Sequence, residues 1–400
     1  MNFKKFSYLL TLRTSAVVAQ ALFFFLVFQK SGTTQAGSVA LFLATLSVFR
    51  GVAPLGFDVE TLRLSSVTYD GTIDQSLVKL ALVKSFWLTL IGSVITLFVS
   101  LLSPSSSLTI ALAALAAAPL VTISISISLL RPTSIFLKSQ KLDTFFTSFL
   151  PLVISSTLLF TDRLSVFWLS LVFLLANSAG AAILVKECTN RARVRISPTT
   201  SINSGFFQNG VAQALINFNT RFPTVISGLL GGLNLTAFVD LGSKTQLFSG
   251  TLAWIFGAVY SPDYARDFGL KRKKNYRKVL LASLVCACGT AAPMATIVLF
   301  SGSLAPIFSM TRLDFENLMI WFTLIALLQI FPANFGYLAS MSKKYYLVSF
   351  GVILEMLVTL LVLVITGSSL KSFCFALACG SLSRMLLTCF FALKMYRKAI

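Results

Sequence analysis

The strongest constraint on this chain is the way its cations alternate along a series of long apolar runs. Twelve runs are legible, at 8–28, 36–57, 77–102, 108–130, 145–160, 164–185, 202–230, 235–260, 279–300, 315–338, 345–365 and 370–393. Each is about 20 residues, the length a helix needs to cross roughly 30 Å of hydrocarbon. Cations gather at the N-terminus, in the even-numbered gaps and at the C-terminus, as at Arg191, Arg193 and Arg195 or between Lys271 and Lys278. The odd-numbered gaps hold only Lys30, Arg163 and Arg312, with Lys371 at the edge of the eleventh, one residue into the twelfth run. Positive charge in short loops marks the cytoplasmic side, so both termini are expected there. One miscounted helix would scramble the alternation.

Composition agrees. Charged residues make up only 12% of the chain and mean hydropathy is +0.85, so lipid must cover most of the surface. The net charge of +20 does not point to nucleic acid, because the basic clusters are brief and sit beside span ends. There they set topology and attract anionic membrane lipids. The chain has no histidine, which removes the usual general base and the commonest metal ligand. No cofactor and no metal are expected. Of the six cysteines, Cys286 and Cys288 are two apart on a helix and point to different faces, a poor metal pair and ordinary packing residues. Lys4 and Lys5 precede a first run that lacks a small-residue cleavage site, which reads as an uncleaved span. No G-x-x-x-x-G-K-[ST] occurs, so the chain carries no nucleotide-driven pump of its own.

The fold class that follows is an all-α polytopic membrane protein of two six-helix bundles, at 1–186 and 202–400, joined by a basic cytoplasmic linker at 187–201. An offset of 200 aligns Gly32, Val39, Leu41 and Thr45 with Gly232, Val239, Leu241 and Thr245. At an offset of 201, Phe136-Leu137-Lys138-Ser139 falls on Tyr337-Leu338-Ala339-Ser340. Six spans per half give parallel repeats about an axis along the membrane normal, and transporters so built bind substrate near the repeat interface. Pro54, Pro119, Pro151, Pro223, Pro293 and Pro332 fall inside runs and are expected to bend them.

Polar residues inside the runs are the candidate site. Asn209, Gln213, Asn217 and Arg221 follow at steps of four in the seventh run, a polar ribbon ending in a cation. An Arg facing lipid at mid-membrane costs at least about 2.5–3.5 kcal/mol, so the ribbon is expected to face a wet cavity, with interhelical hydrogen bonding as the alternative. In the eighth run Asp240 and Lys244 share a face, either as part of a cluster with Arg221 or as a self-neutralising pair. Arg13 and Arg50 either snorkel to the cytoplasmic interface or form an anion site at that mouth. Glu355 and Arg384 lie at similar depth in the last two runs and are expected to pair. Asp240, Glu355 and Arg384 are the candidates for ion coupling or charge balance. The acidic segment with Asp58, Glu60, Asp70 and Asp74 reads as a solvated cytoplasmic connection.

Three local patterns then carry a resemblance. They are Gly228-Leu229-Leu230-Gly231-Gly232 leading into Phe238-Val239-Asp240-Leu241-Gly242-Ser243-Lys244, the run Val259-Tyr260-Ser261-Pro262-Asp263-Tyr264-Ala265-Arg266, and Gly336-Tyr337-Leu338-Ala339-Ser340 ahead of Lys343-Lys344. With the twelve spans and the duplication, the chain resembles the polysaccharide (Wzx-type, O-antigen) flippases of the multidrug/oligosaccharidyl-lipid/polysaccharide (MOP) exporter superfamily. The resemblance implies a MATE-like pair of bundles in a bacterial inner membrane, with a cationic cavity for a polyprenyl-diphosphate-linked oligosaccharide used in lipopolysaccharide or another surface polysaccharide. It also implies contact with polysaccharide assembly proteins and leaves H⁺ or Na⁺ open as coupling ion. Arg221, Lys244, Asn209, Gln213, Asn217, Arg13 and Arg50 would line that cavity. The alternative is a cation-coupled drug or metabolite antiporter of the same superfamily. A membrane polymerase or ligase is disfavoured, because the external gaps are short and hold no cluster of acids, so the chain is not expected to be an enzyme.

Overall fold

The computed structural model describes residues 3–54, 57, 73–101, 107–130, 135–193, 212, 214–266, 269–342 and 344–398. These form helices almost throughout. Nine of the described helices are long and apolar enough to cross a membrane. Ser15–Val52 covers the first two runs, and the other eight fall on runs three to six and nine to twelve. The protein is multi-pass. The chain divides into two compact units, Met1–Arg221 and Phe222–Ile400, with the divide inside the seventh run.

The N-terminal unit opens on α1 (Phe3–Val52), which contains both expected spans and is broken only at Gly32, where φ is 77° and ψ is −178°. It continues through α2 (Gln75–Leu101) and α3 (Ser107–Leu130) to α4 (Phe136–Thr144). A π-helical turn at Phe145–Phe149 joins α4 to α5 (Leu150–Phe160), and α6 (Val166–Asn190) follows. Helix α3 is the hub, packed on by α1, α2 and α6. Its run of alanines explains this, since Ala113, Ala114, Ala116 and Ala117 are all buried and small residues let helix backbones approach. Across that close contact, Ser170 and Asn177 of α6 donate to the carbonyls of Leu112 and Ala116 at 2.8 and 2.9 Å. Helix α6 runs five residues past the expected end of its span and carries Cys188 buried against α3, not in a loop. The polar residues that follow then pair as a strand. Ala192–Arg193 (β2) lies parallel to Ile73–Asp74 (β1), tying the start of the basic linker to the connection before α2.

The C-terminal unit contains α7 (Phe222–Leu230), α8 (Gly232–Arg266), α9 (Lys273–Leu299), α10 (Arg312–Met341), α11 (Tyr345–Thr366) and α12 (Leu370–Lys398). Helix α10 is the hub here, touching α8, α9, α11 and α12. Gly242 of α8 faces the Phe322 ring of α10 so closely that a Cβ would lie 2.2 Å from it. The short turn between α7 and α8 reverses direction at Gly232, whose φ is 78°.

Candidate functional site

In the C-terminal unit, α11 and α12 run side by side and bring Glu355 against Arg384. Arg384 Nη1 donates to Glu355 Oε2 at 2.8 Å, and the residues are 8% and 4% exposed. The other carboxylate oxygen accepts from Gln329 Nε2 at 2.7 Å and from Ser381 Oγ at 2.9 Å. A charge in such a place is tolerable only when paired and hydrogen-bonded on its remaining lone pairs, and this carboxylate is. The expected contact between the two residues is present. Gln329 of α10 was not singled out from sequence; an amide in the middle of an apolar run was its only signal.

Asp240 and Lys244 form the second pair, one helical turn apart on α8. Lys244 Nζ lies 2.6 Å from Asp240 Oδ2, and Thr224 of α7 donates to Asp240 Oδ1 at 3.1 Å. The acid is sealed and the cation is not, with side chains 2% and 24% exposed.

The N-terminal unit carries a third pair that the sequence did not assign. Arg50 neither snorkels alone nor waits for an external anion. Its Nη2 donates to both carboxylate oxygens of Asp143 at 2.7 Å, and Nη1 to Thr147 Oγ1 at 3.3 Å. Asp143 belongs to α4, where the sequence pattern put a polar gap, and the helix extends back to include it. The π-helical turn begins two residues after Asp143, and such turns are frequent at functional positions. Again the cation is the more exposed partner, at 30% against 12%. Beside this pair, Asn217 Nδ2 donates to the carbonyl of Gly51 at 3.0 Å, so the structure brings two of the expected cavity residues, Arg50 and Asn217, to the same end of α1.

The expected polar ribbon is not one continuous helix face. Asn209 and Gln213 lie outside the described residues, as do the acids Asp58, Glu60 and Asp70 and the side chain of Arg13. Where the chain is described, helix ends at Asn219, and Thr220 and Arg221 form a turn before α7 begins. Pro223 is the physical reason. It brings no N–H to a helical ladder, and its ring would clash with the carbonyl four residues before it, that of Asn219, where the preceding helix ends. Arg221 therefore sits at a break in the run, where backbone polar groups depend on side chains or water.

No protein-family model matches the chain, and no characterised sequence is similar enough to count as a relative. Comparison of the coordinates with solved structures is decisive. An outward-facing multidrug resistance MATE family transporter of the MOP superfamily superposes with a TM-score of 0.65 at 15% identity, covering 99% of this chain and 96% of that one. The fold is that of the MATE transporters. The inward-facing conformation of a MATE transporter from the MOP superfamily gives 0.66 at 14% identity, covering 98% of both chains. The eukaryotic MATE transporter AtDTX14 gives 0.64 at 17% identity, covering 99% of this chain and 98% of its own. The whole length of the MATE-like chain is thus accounted for, and at these identities the likeness concerns the fold.

Proposed function

We propose that this protein is a secondary transporter that flips a lipid-diphosphate-linked oligosaccharide across the bacterial inner membrane by alternating access, with no catalytic step. One observation carries the choice of an anionic cargo. In two of the partly exposed ion pairs, Asp240–Lys244 and Arg50–Asp143, the carboxylate is buried and the cation is the more exposed partner. A site built for a cationic drug needs the reverse. A diphosphate needs exposed cations held in place, and buried acids hold them without cancelling the field at the surface. Arg221 at its helix break adds a guanidinium suited to bidentate phosphate contact, and interrupted membrane helices commonly mark transport sites. Asp240, Glu355 and Arg384 balance charge in this reading, which leaves the driving species open between H⁺, Na⁺ and no ion. The antiporter reading draws on the multidrug transporters that share the fold.

The test is complementation of surface glycan in a strain lacking the gene, with membrane abundance controlled. Arg221→Ala should lose nearly all export and Arg221→Lys part of it. Export at the wild-type rate by abundant Arg221→Ala protein, or drug resistance conferred in place of glycan export, would overturn the proposal.

A further inference from the structure

A cavity of about 450 Å³ lies in the C-terminal unit, lined by no residue of the three ion pairs described above, with a further pair, Arg312–Glu316, flanking it on the first turn of α10. Its volume is in the range of small-ligand sites, roughly 300–1,000 Å³. One wall is the first turns of α10, where Asp314, Asn317 and Trp321 follow at spacings of three and four and share a face. The facing wall is the start of α12, with Lys371 and Phe375, closed by Thr366 at the end of α11. This is the end of the unit that the cation pattern assigns to the outside.

The rim is fixed in advance. Thr311 caps α10 by accepting from the Asp314 N–H at 3.2 Å, and its hydroxyl donates to Asp314 Oδ2 at 2.7 Å. Across the cavity, Ser372 donates through its N–H to Ser369 Oγ at 3.2 Å and through its hydroxyl to the Thr366 carbonyl at 3.0 Å. Deeper in, the Trp321 indole stands edge-on to Phe375, with centroids 6.3 Å apart and rings at 88°, so its face is oriented. The side chains of Asn317 and Lys371 line the same space and hydrogen-bond to none of the described residues.

The chemistry of this lining is selective. Asp314 and Lys371 oppose each other in sign, so the cavity traps neither simple anions nor simple cations. A carboxylate, an amide and an ammonium around an oriented indole suit a ligand with many hydroxyls and an apolar C–H face. That is a saccharide. Membrane anchoring of Trp321 is a poorer account, because the lipid-exposed residues of α10, Leu313, Ile320 and Leu324, lie about a quarter turn away from the cavity face.

We propose that this cavity is a saccharide-binding site, with Trp321 as the stacking surface and Asp314, Asn317 and Lys371 as hydroxyl partners. It rests on the glycan-carrier reading only for its purpose, since sugar binding is measured without transport. The experiment uses the full chain in nanodiscs, free of glycoside detergent, with Trp87, Trp168 and Trp254 changed to Phe so that Trp321 alone fluoresces. It is titrated with maltotriose, N-acetylchitotriose and a uronic-acid disaccharide in the millimolar range. A saturable change with at least one sugar is expected, weakened about tenfold by Asp314→Asn and by Asn317→Ala, the effect of losing one hydrogen bond that includes a charged group or its neighbour. Should the three Phe changes disturb the fold, calorimetric titration of the wild-type chain against the Trp321→Ala variant replaces fluorescence and carries the same expectation. No saturable signal with any sugar overturns the proposal. So does a signal that follows the anionic phospholipid content of the disc and ignores sugar, which would make the cavity a lipid site. A glycan-export defect from Arg221→Ala with sugar binding intact leaves the two proposals separable.

Discussion

The two units share a plan and differ in where they place charge. Gly32 and Gly232 stand 200 positions apart and adopt the same unusual backbone, with φ of 77° and 78°. Carried along the same offset, Asp240 and Lys244 fall on Ala40 and Ala44, which are buried at 1% and 0% exposure. Arg50 in turn falls on Gly250. The N-terminal copy thus shows that a helix of this kind packs without an ion pair at those positions. A device the scaffold does not need in one copy has a purpose other than packing in the other, because a buried pair is weak evidence of stabilisation to begin with.

The largest effect is expected where burial is deepest. Removing Arg384 alone leaves Glu355, 4% exposed, without its cation, and breaking such a pair costs about 3–5 kcal/mol. Glu355→Ala should be similarly costly, while the double Glu355→Ala/Arg384→Ala variant should recover much of the loss. Thermal unfolding in detergent and membrane abundance report this. Additive losses in the double variant would mean that the two residues do not act as a pair.

The next prediction uses the N-terminal copy as a template. Lys244→Ala strands Asp240, but Thr224 still donates to that carboxylate, so the loss should be smaller than for Arg384, about 2–3 kcal/mol. The double Asp240→Ala/Lys244→Ala variant restores what Ala40 and Ala44 already supply and should return to near wild-type abundance while failing to export glycan. A double variant as unstable as the single one would show that the pair is structural, and the contrast between the units would lose its functional meaning.

What the sequence made legible follows from how local each signal is. The Asp240–Lys244 pair was readable because a spacing of four fixes a shared helix face, and Glu355 with Arg384 because a short turn fixes their relative depth. Asp143 was not, since a polar residue beside Lys138 and Lys141 looks like solvated loop until α4 is seen to run on through it. Gln329 was hidden because its partners lie on two other helices. The fold class was visible in the run lengths and the charge alternation. The break at Thr220–Arg221 was signalled by Pro223, but periodicity alone continued the ribbon across it.

The smallest expected effect tests the shared plan itself. At φ 77° and ψ −178°, the backbone of Gly32 lies in a region essentially confined to glycine, and with φ 78° at Gly232 a residue with a Cβ at either position pays about 1–3 kcal/mol. At Gly32 and Gly232 an added Cβ meets nothing within 4 Å, so backbone strain is the whole cost and crowding adds none. Gly32→Ala and Gly232→Ala should therefore destabilise by nearly equal amounts, measured as paired shifts in thermal unfolding, and the double variant should show their sum because the sites share no partner. Transport should fall only as far as abundance does, since neither glycine carries a side chain to any site. A marked inequality between the two would mean that one turn moves during transport while the other is fixed, and the symmetry of the two glycines would then describe one resting conformation and not a common mechanical role.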